Sequence, residues 1–213
     1  MQILSVNAAN PVTIQLDGGP VITGIYKKPV IGKIQVTRFG IDGDNIVDMK
    51  VHGGLDQAVY LYHQEDYEWW SKQLNKTLTP GTFGENLTVS GLADISLVIG
   101  DRLKINNIEL EITAPRTPCF KLAMRMGDSG FAKKFARAQR PGAYARVIQG
   151  GELTAGDAIA FRQTTEDFAS VNEVFVEWHN KNKSLAVLKK ALASPIATVH
   201  KQKLQEWYDA LVC

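Results

Sequence analysis

The chain has 213 residues, and its 24 basic and 22 acidic side chains leave a net charge of only +2, which gives no argument for a nucleic-acid partner. With 45% hydrophobic residues, it is long enough to bury a core without metals or disulfides, as one domain or one domain with a small appendage. No apolar run reaches the roughly 20 residues that span a bilayer, and the N-terminal residues lack the basic and apolar regions of a signal peptide, so we expect a cytoplasmic protein without a membrane partner.

Short apolar stretches separated by turn residues make up the chain as far as residue 163. All 18 glycines lie before residue 157, a composition typical of strands and turns. Strands are predicted at 31–36, 58–62, 86–89 and 103–105. Amphipathic spacing predicts helices at 64–74 and 128–138. The first part is therefore mostly β, with one or two helices.

Two segments of nine residues resemble each other. LVIGDRLKI (97–105) and LTAGDAIAF (153–161) both place a Gly-Asp turn before a strand whose alternate residues face a core. They are too short to define a repeat architecture. They predict a barrel or a sandwich with two similar corners.

Helix signals dominate after residue 163. Ser170 and Glu173 form a capping box, and Ser184 can cap a second helix. Ser194 and Pro195 are suited to be the cap and the first residue of a third. We therefore divide the chain into a β domain at 1–163 and a small three-helix bundle at 164–213.

The segment APRTPCFKL (114–122) contains the most distinctive cysteine. Cys119 stands between Arg116 and Lys121, and Pro115 and Pro118 restrict its backbone. Two nearby cations favour the thiolate, which is the form that attacks electrophiles or ligates metals. The alternative is a small thiol that only packs in the core. The cations and prolines favour the chemical role.

A basic run follows this cysteine. Between residues 116 and 146 there are eight basic side chains and one acidic side chain, Asp128. The run is either a solvated face or, in part, the wall of a pocket for an anion. Its members are Arg116, Lys121, Arg125, Lys133, Lys134, Arg137, Arg140 and Arg146.

Two glycine-containing motifs could shape such a pocket. GIDGD (40–44) is followed by His52-Gly53-Gly54, where consecutive glycines can expose backbone N–H groups to an anion. A plain hairpin turn with a turn histidine is the alternative. In GTFGENL (81–87), Asn86 offers a donor and an acceptor together, or it only caps a turn.

Taken together and in this order, these segments resemble the MOSC domain family, and its YiiM-like subfamily in particular. The three C-terminal helices are also similar to the helical domain of that subfamily. No single motif is specific, but the combination is. The matching stretches are TGIYKKPV (23–30), GIDGD (40–44), VHGGLDQAVYLYHQEDYEWW (51–70), GTFGENLTVSGL (81–92), IGDRLKI (99–105), APRTPCFKL (114–122) and GAYARVIQGGELTAGD (142–157).

The resemblance implies a twisted β-barrel that binds the molybdenum cofactor, Mo-molybdopterin. The family's motif cysteine ligates molybdenum, which implies the same role for Cys119, and a thiolate is a soft ligand suited to this metal. The doubled Lys27-Lys28 leaves open which lysine is functional. The implied cofactor-binding residues are Lys27, Arg38, His52, Gly53, Gly54, Asn86, Arg116, Lys121 and Arg146.

The resemblance also implies an activity, the reduction of N-hydroxylated compounds such as 6-hydroxylaminopurine to amines. Cys119 would be catalytic, and His52 and Asp56 are candidate proton donors because they lie near the double glycine. The chain has neither an iron–sulfur cysteine set nor a dinucleotide motif, so we expect an external reductase to supply electrons to a monomer or homodimer.

Two alternatives remain open at this point. One is a module that carries or sulfurates the cofactor without turning over a substrate. The other is a cysteine hydrolase that uses Cys119 with His52. The C-terminal helices would dock the electron donor, cover one end of the barrel or form a dimer contact.

Overall fold

The computed structural model describes residues 1–16, 19–45, 54–92 and 94–212. The strands are β1 (Gln2–Ala8), β2 (Val12–Leu16), β3 (Gly19–Thr23), β4 (Lys28–Pro29), β5 (Ile34–Thr37), β6 (Gly40–Ile41), β7 (Val59–His63), β8 (Leu87–Ser90), β9 (Arg102–Ile105), β10 (Ile108–Ala114), β11 (Ala143–Gln149), β12 (Gly151–Leu153) and β13 (Ala160–Arg162). The helices are α1 (Gln64–Leu74), α2 (Phe120–Met126), α3 (Phe131–Ala138), α4 (Val171–His179), α5 (Leu185–Ala193) and α6 (Thr198–Val212), with a 3₁₀ turn at Leu55–Gln57.

Eight strands form one sheet in the order β13-β9-β10-β11-β7-β8-β1-β4. Register shifts in β1 and β10 mark bulges, which bend strands and increase their twist. The sheet curls until the start of β1 meets the segment before β13, where Ile3 N donates to Asp157 O at 2.9 Å and Ile159 N donates to Met1 O at 3.1 Å. The predicted twisted β-barrel with a few helices is confirmed.

The two similar segments form two similar corners. Gly100 and Gly156 both have positive φ, at 98° and 95°. Asp101 accepts a hydrogen bond from Val98 N at 2.7 Å, and Asp157 accepts one from Thr154 N at 2.9 Å. The strands that follow, β9 and β13, pair with each other. Each Gly-Asp turn therefore starts a strand, as predicted, and the structure shows that the two strands are neighbours.

The helix at 64–74 has the predicted bounds, whereas α3 begins at Phe131, later than predicted. Asp128 instead accepts a hydrogen bond from Gly130 N in the turn before α3. Helix α2 (Phe120–Met126) was not predicted.

The C-terminal helices were predicted correctly except for the start of the third. The capping box of Ser170 and Glu173 and the Ser184 cap are both present. Ser194 is instead the C-cap of α5, where its hydroxyl donates to Ala191 O at 2.6 Å. Helix α6 begins at Thr198. The prediction for Ser194 and Pro195 was wrong because the Ser194 hydroxyl bonds back to a carbonyl at the end of α5.

The sheet and the C-terminal helices share one hydrophobic core. Val174, Leu188 and Leu204 of the helices belong to the same buried cluster as Ile99 and Leu110 of the barrel part. A second cluster is aromatic and lies between β7, α1 and α3; its rings are those of Tyr60, Tyr62, Tyr67, Trp70, Phe83, Phe131, Phe135, Tyr144 and Phe175. In the described part of the chain, no helix is long and apolar enough to cross a membrane.

Candidate functional site

A cleft that opens to solvent contains the motif cysteine; we call it the Cys119 cleft. It forms where β7 and β8, the parallel pair of the sheet, both begin. Parallel strands start at the same edge, so the segments that precede them meet there. The lining residues are Thr23, Gly24, Ile25, Lys27, Asn45, Gln57, Tyr60, Gly84, Asn86, Arg116, Cys119, Lys121 and Tyr144.

Cys119 is half-buried in the cleft wall immediately before α2. Its carbonyl accepts a hydrogen bond from Leu122 N at 3.1 Å, which forms the first turn of that helix. Lys121 lies on the same turn and also lines the cleft. The start of α2 thus places the Cys119 thiol and Lys121 in the same cavity, which Arg116 also lines.

Arg116 is the most buried cation of the cleft, with 4% of its surface exposed. Its Nη1 donates to Phe83 O at 2.5 Å, and its guanidinium lies 5.3 Å from the centre of the Tyr60 ring. Burial alone would lower the pKa of Arg116, but the phenols of Tyr60 and Tyr144 and the thiol of Cys119 raise it on balance. Arg116 is therefore a fixed positive charge in the cleft wall that also contains the thiol.

Lys27 is the second buried cation. Its Nζ forms an ion pair with Asp44 of the GIDGD motif, whose side chain is 1% exposed. Asp44 Oδ2 also accepts a hydrogen bond from Asn86 Nδ2 at 2.8 Å, and Asn86 Oδ1 accepts one from Tyr60 N at 3.0 Å. One chain of hydrogen bonds therefore links three segments of the cleft wall.

The structure distinguishes the two adjacent lysines. Lys27 is buried and lines the cleft, whereas Lys28 is exposed on β4. Burial lowers the pKa of Lys27, although the charge of Asp44 opposes this shift. Of the two side chains, only Lys27 is placed to contact a molecule in the cleft.

The loop of residues 81–86 passes directly behind Lys27. Gly81 lies so close to the Lys27 backbone that an added Cβ would be 2.5 Å from the Lys27 carbonyl oxygen. Glu85 is fully buried, and its Oε1 accepts hydrogen bonds from Tyr67 Oη at 2.6 Å, Gly81 N at 2.7 Å and Thr88 Oγ1 at 2.8 Å. Burial raises the pKa of Glu85. These contacts fix Gly84 and Asn86 in the cleft wall.

Two tyrosines close the inner side of the cleft. The rings of Tyr60 and Tyr144 lie 5.0 Å apart, and both residues are buried. Burial raises the pKa of each phenol, so both are neutral at physiological pH. They supply an aromatic wall next to the charges of Lys27 and Arg116.

Several predicted site residues do not line the cleft. Asp56 accepts hydrogen bonds from Thr198, and Arg146 contacts Asp56, Glu111 and Pro195 O. Arg38 lies 4.6 Å from the Phe39 ring in the β5–β6 turn. Gly54, with φ of 89°, precedes the 3₁₀ turn. His52 and Gly53 lie outside the described residues.

Only two members of the basic run, Arg116 and Lys121, line the cleft. Arg125 lies 4.8 Å from the Tyr26 ring, and Arg140 pairs with Asp66. Lys134 pairs with Asp128. These three side chains therefore make their contacts with residues that do not line the cleft.

Sequence reasoning missed several residues of the wall: Thr23, Asn45, Gln57, Tyr60 and Tyr144. It also missed Asp44, although the GIDGD motif that contains it was singled out. Gln57 and Tyr60 follow the double-glycine motif in the sequence. Their position next to a recognised motif was the available signal, because tyrosine and glutamine types alone indicate no site.

The family model of the MOSC domain matches residues 48–160, more than half of the chain and most of the segments that form the cleft. The chain belongs to the MOSC-domain family. This MOSC protein is 28% identical over 160 residues to Protein YiiM of Escherichia coli (strain K12), which covers 74% of this chain and 71% of that one. It is 30% identical over 183 residues to a protein named Reductase of Gibberella moniliformis (strain M3125 / FGSC 7600), covering 84% of this chain and 32% of that one.

The same architecture occurs in a solved structure. The crystal structure of YiiM from Geobacillus stearothermophilus matches with a TM-score of 0.80 at 24% identity, covering 97% of this chain and 98% of that one. The match extends over the C-terminal helices as well as the barrel. The predicted membership in a YiiM-like group of MOSC proteins is confirmed.

Proposed function

We propose that this MOSC protein is a molybdenum-cofactor-dependent reductase of N-hydroxylated compounds. The overall reaction takes R–NH–OH, two electrons and two protons to R–NH₂ and water. The observation that carries the proposal is the Cys119 cleft itself, which gathers one thiol and the cations Lys27, Arg116 and Lys121 around a cavity. The relative named Reductase supports a redox activity.

The described residues fit such a cofactor in charge. The cofactor is an anion with a phosphate and two dithiolene sulfurs, and no acidic side chain is among the described residues that line the cleft. Gln57 Oε1 is buried in the wall without a hydrogen-bond partner in the described part of the chain, so it is available to the substrate and not needed for the cofactor.

Each described residue then has a physical task. Cys119 would ligate the molybdenum through its sulfur, and Arg116 and Lys121 would bind the anionic groups, Arg116 with a planar fork and Lys121 as a point charge. Lys27 would contribute the third cation, and Asn86 would orient it through Asp44. When bound, the cofactor supplies the two electrons, which an external reductase replaces.

The walls restrict water and proton access. Tyr60 and Tyr144 are neutral and buried, so they exclude water from the inner side of the cleft. The carboxylate of Asp56 is already bound by Thr198 and Arg146, so we do not assign it the proton donor. Of the histidines that the structure describes, none lines the cleft, and the hydrolase alternative gains no support from them.

The decisive experiment measures metal content and turnover on one sample. The protein is purified from a host that makes the cofactor, molybdenum is measured by mass spectrometry, and 6-hydroxylaminopurine reduction is followed with a viologen donor. We expect nearly one molybdenum per chain and turnover, and Cys119→Ser should lose both. Cys213→Ser is the matched control, since it replaces the other cysteine of the sequence.

Two outcomes would contradict the proposal in different ways. Molybdenum without turnover on this and other N-hydroxylated substrates would favour a carrier of the cofactor. A protein without molybdenum, even from a competent host, would reject the cofactor itself.

A further inference from the structure

Asp56 connects the 3₁₀ turn at Leu55–Gln57 to the start of helix α6. Its Oδ2 accepts hydrogen bonds from Thr198 N at 2.9 Å and from Thr198 Oγ1 at 2.7 Å. Its Oδ1 lies 3.1 Å from Arg146 Nη2. Burial alone would raise the pKa of Asp56, but Thr198 and Arg146 lower it on balance. The group is therefore a carboxylate at neutral pH, the form that accepts all three contacts.

The backbone on both sides of this contact is also held. Thr113 Oγ1 donates to the Asp56 carbonyl at 2.5 Å, and Ala197 N donates to the Thr113 carbonyl at 3.0 Å. Arg146 Nη2 donates to Pro195 O at 2.8 Å. Strands β10 and β11 thus clamp the 3₁₀ turn and the segment before α6 together; we call these contacts the Asp56 clasp.

The residue that follows the clasp belongs to the Cys119 cleft. Gln57 lines the cleft with 3% of its surface exposed, and its backbone N–H is bound to Gly54 O at 3.1 Å. Its side chain makes no hydrogen bond through Oε1 to any described residue. A rotation of the 3₁₀ turn would move this carboxamide relative to the thiol and the cations.

We propose that Asp56 is a positioning residue, which holds Gln57 in the wall of the cleft by binding the start of helix α6. The C-terminal helices thereby take part in shaping the ligand-binding surface. The inference rests on the proposed function in one respect, the identity of the ligand that Gln57 contacts, for which we take the N-hydroxylated substrate. The clasp itself is a property of the fold and can be measured without turnover.

The first test uses Asp56→Ala, Asp56→Asn and the control Asp167→Asn. Asp167 is an exposed carboxylate that pairs with Lys190 and does not line the cleft, so the control makes the same chemical change elsewhere. Hydrogen exchange is measured on the backbone amides of residues 54–60 and 196–200. We expect Asp56→Ala to accelerate exchange in both segments at least tenfold. Asp56→Asn keeps an oxygen that can accept from Thr198, so it should stay within about threefold of the wild type.

The second test separates positioning from a general structural role. In Asp56→Ala, KM for 6-hydroxylaminopurine should rise about tenfold, as for the loss of one hydrogen bond to a substrate, with kcat and molybdenum content within twofold of the wild type. Gln57→Leu should raise KM to the same extent without accelerating exchange at 196–200.

Thr198→Val provides a variant that removes only one hydrogen bond, in case Asp56→Ala does not fold. It should raise KM by a smaller factor, and in the background of Asp56→Ala it should add nothing. Exchange and KM equal to those of Asp167→Asn would overturn the inference. So would a loss of kcat and molybdenum content at unchanged KM. If the wild type neither binds molybdenum nor turns over substrate, the proposed function fails, and the exchange measurement alone decides the clasp.

Discussion

Gly81 is the position where the backbone of the cleft permits no side chain. Its φ is +84°, and an added Cβ would lie 2.5 Å from the carbonyl oxygen of Lys27. In Gly81→Ala, the left-handed conformation costs about 1–2 kcal/mol. The displaced backbone adds about 1–3 kcal/mol, as for other overpacked sites. We therefore expect the free energy of unfolding to fall by about 2–5 kcal/mol.

Gly32 isolates the two contributions. Its φ is +89°, almost the same as that of Gly81, but nothing lies within 4 Å of an added Cβ. Gly32→Ala should therefore lose only the conformational part, about 1–2 kcal/mol. The difference between the two variants measures the contact with Lys27.

Urea unfolding of both variants, followed by tryptophan fluorescence, gives these free energies. Gly81→Ala should also retain less molybdenum, because relief of the contact shifts the Lys27 segment away from the cleft, whereas Gly32→Ala should retain the wild-type amount. Equal destabilisation of the two variants would refute the argument from close approach. If Gly81→Ala is destabilised but its molybdenum content is unchanged, the link between the Gly81–Lys27 contact and the cleft would be refuted.

Three further results are expected. Burial lowers the pKa of His63 below 6.5, so the unfolded chain takes up a proton before the folded protein does as the pH falls. The free energy of unfolding should therefore decrease below about pH 6.5, by at most about 1.4 kcal/mol per pH unit. In urea unfolding, His63→Gln should show a smaller difference in this free energy between pH 7 and pH 5, and an unaltered difference would contradict this. Ser170→Ala should lower the free energy of unfolding by about 1 kcal/mol because the capping box with Glu173 is lost. Thermal unfolding tests this value, and an unchanged Tm would contradict it. Lys27→Met should lower the free energy of unfolding by about 3–5 kcal/mol because it leaves the Asp44 carboxylate buried without its ion-pair partner. In a double-mutant cycle, the addition of Asp44→Asn should restore most of this free energy. Strictly additive losses would contradict an energetic coupling between the two side chains.

Secondary structure was predicted best where the local sequence pattern and the tertiary packing favour the same conformation. The helix at 64–74 has Tyr67 and Trp70 on one stripe, and both are buried in the aromatic cluster. The Gly-Asp corners need only a positive φ and a side-chain acceptor, as Gly100 and Asp101 show. Such features depend on neighbours in the chain, so they are visible in the sequence.

The cleft was only partly predictable because distant segments form it. Lys27, Asn86 and Arg116 were expected, and the structure places all three in its wall. Tyr144 entered the wall only because β11 pairs with β7, a contact that no local pattern encodes. Asp56 has a residue type suited to proton transfer, yet contacts from the far end of the chain engage its carboxylate.

The pairing of Lys27 with Asp44 has a consequence for ligand affinity. Both groups leave water when the chain folds, so a ligand that enters the cleft meets an ammonium group whose hydration shell has already been removed. Such a site is preorganised, since little solvent must rearrange on binding. The same pair couples folding to binding. Any change that disrupts this ion pair lowers the free energy of unfolding of the ligand-free protein, and ligand binding should restore part of that stability, more for a ligand of higher affinity.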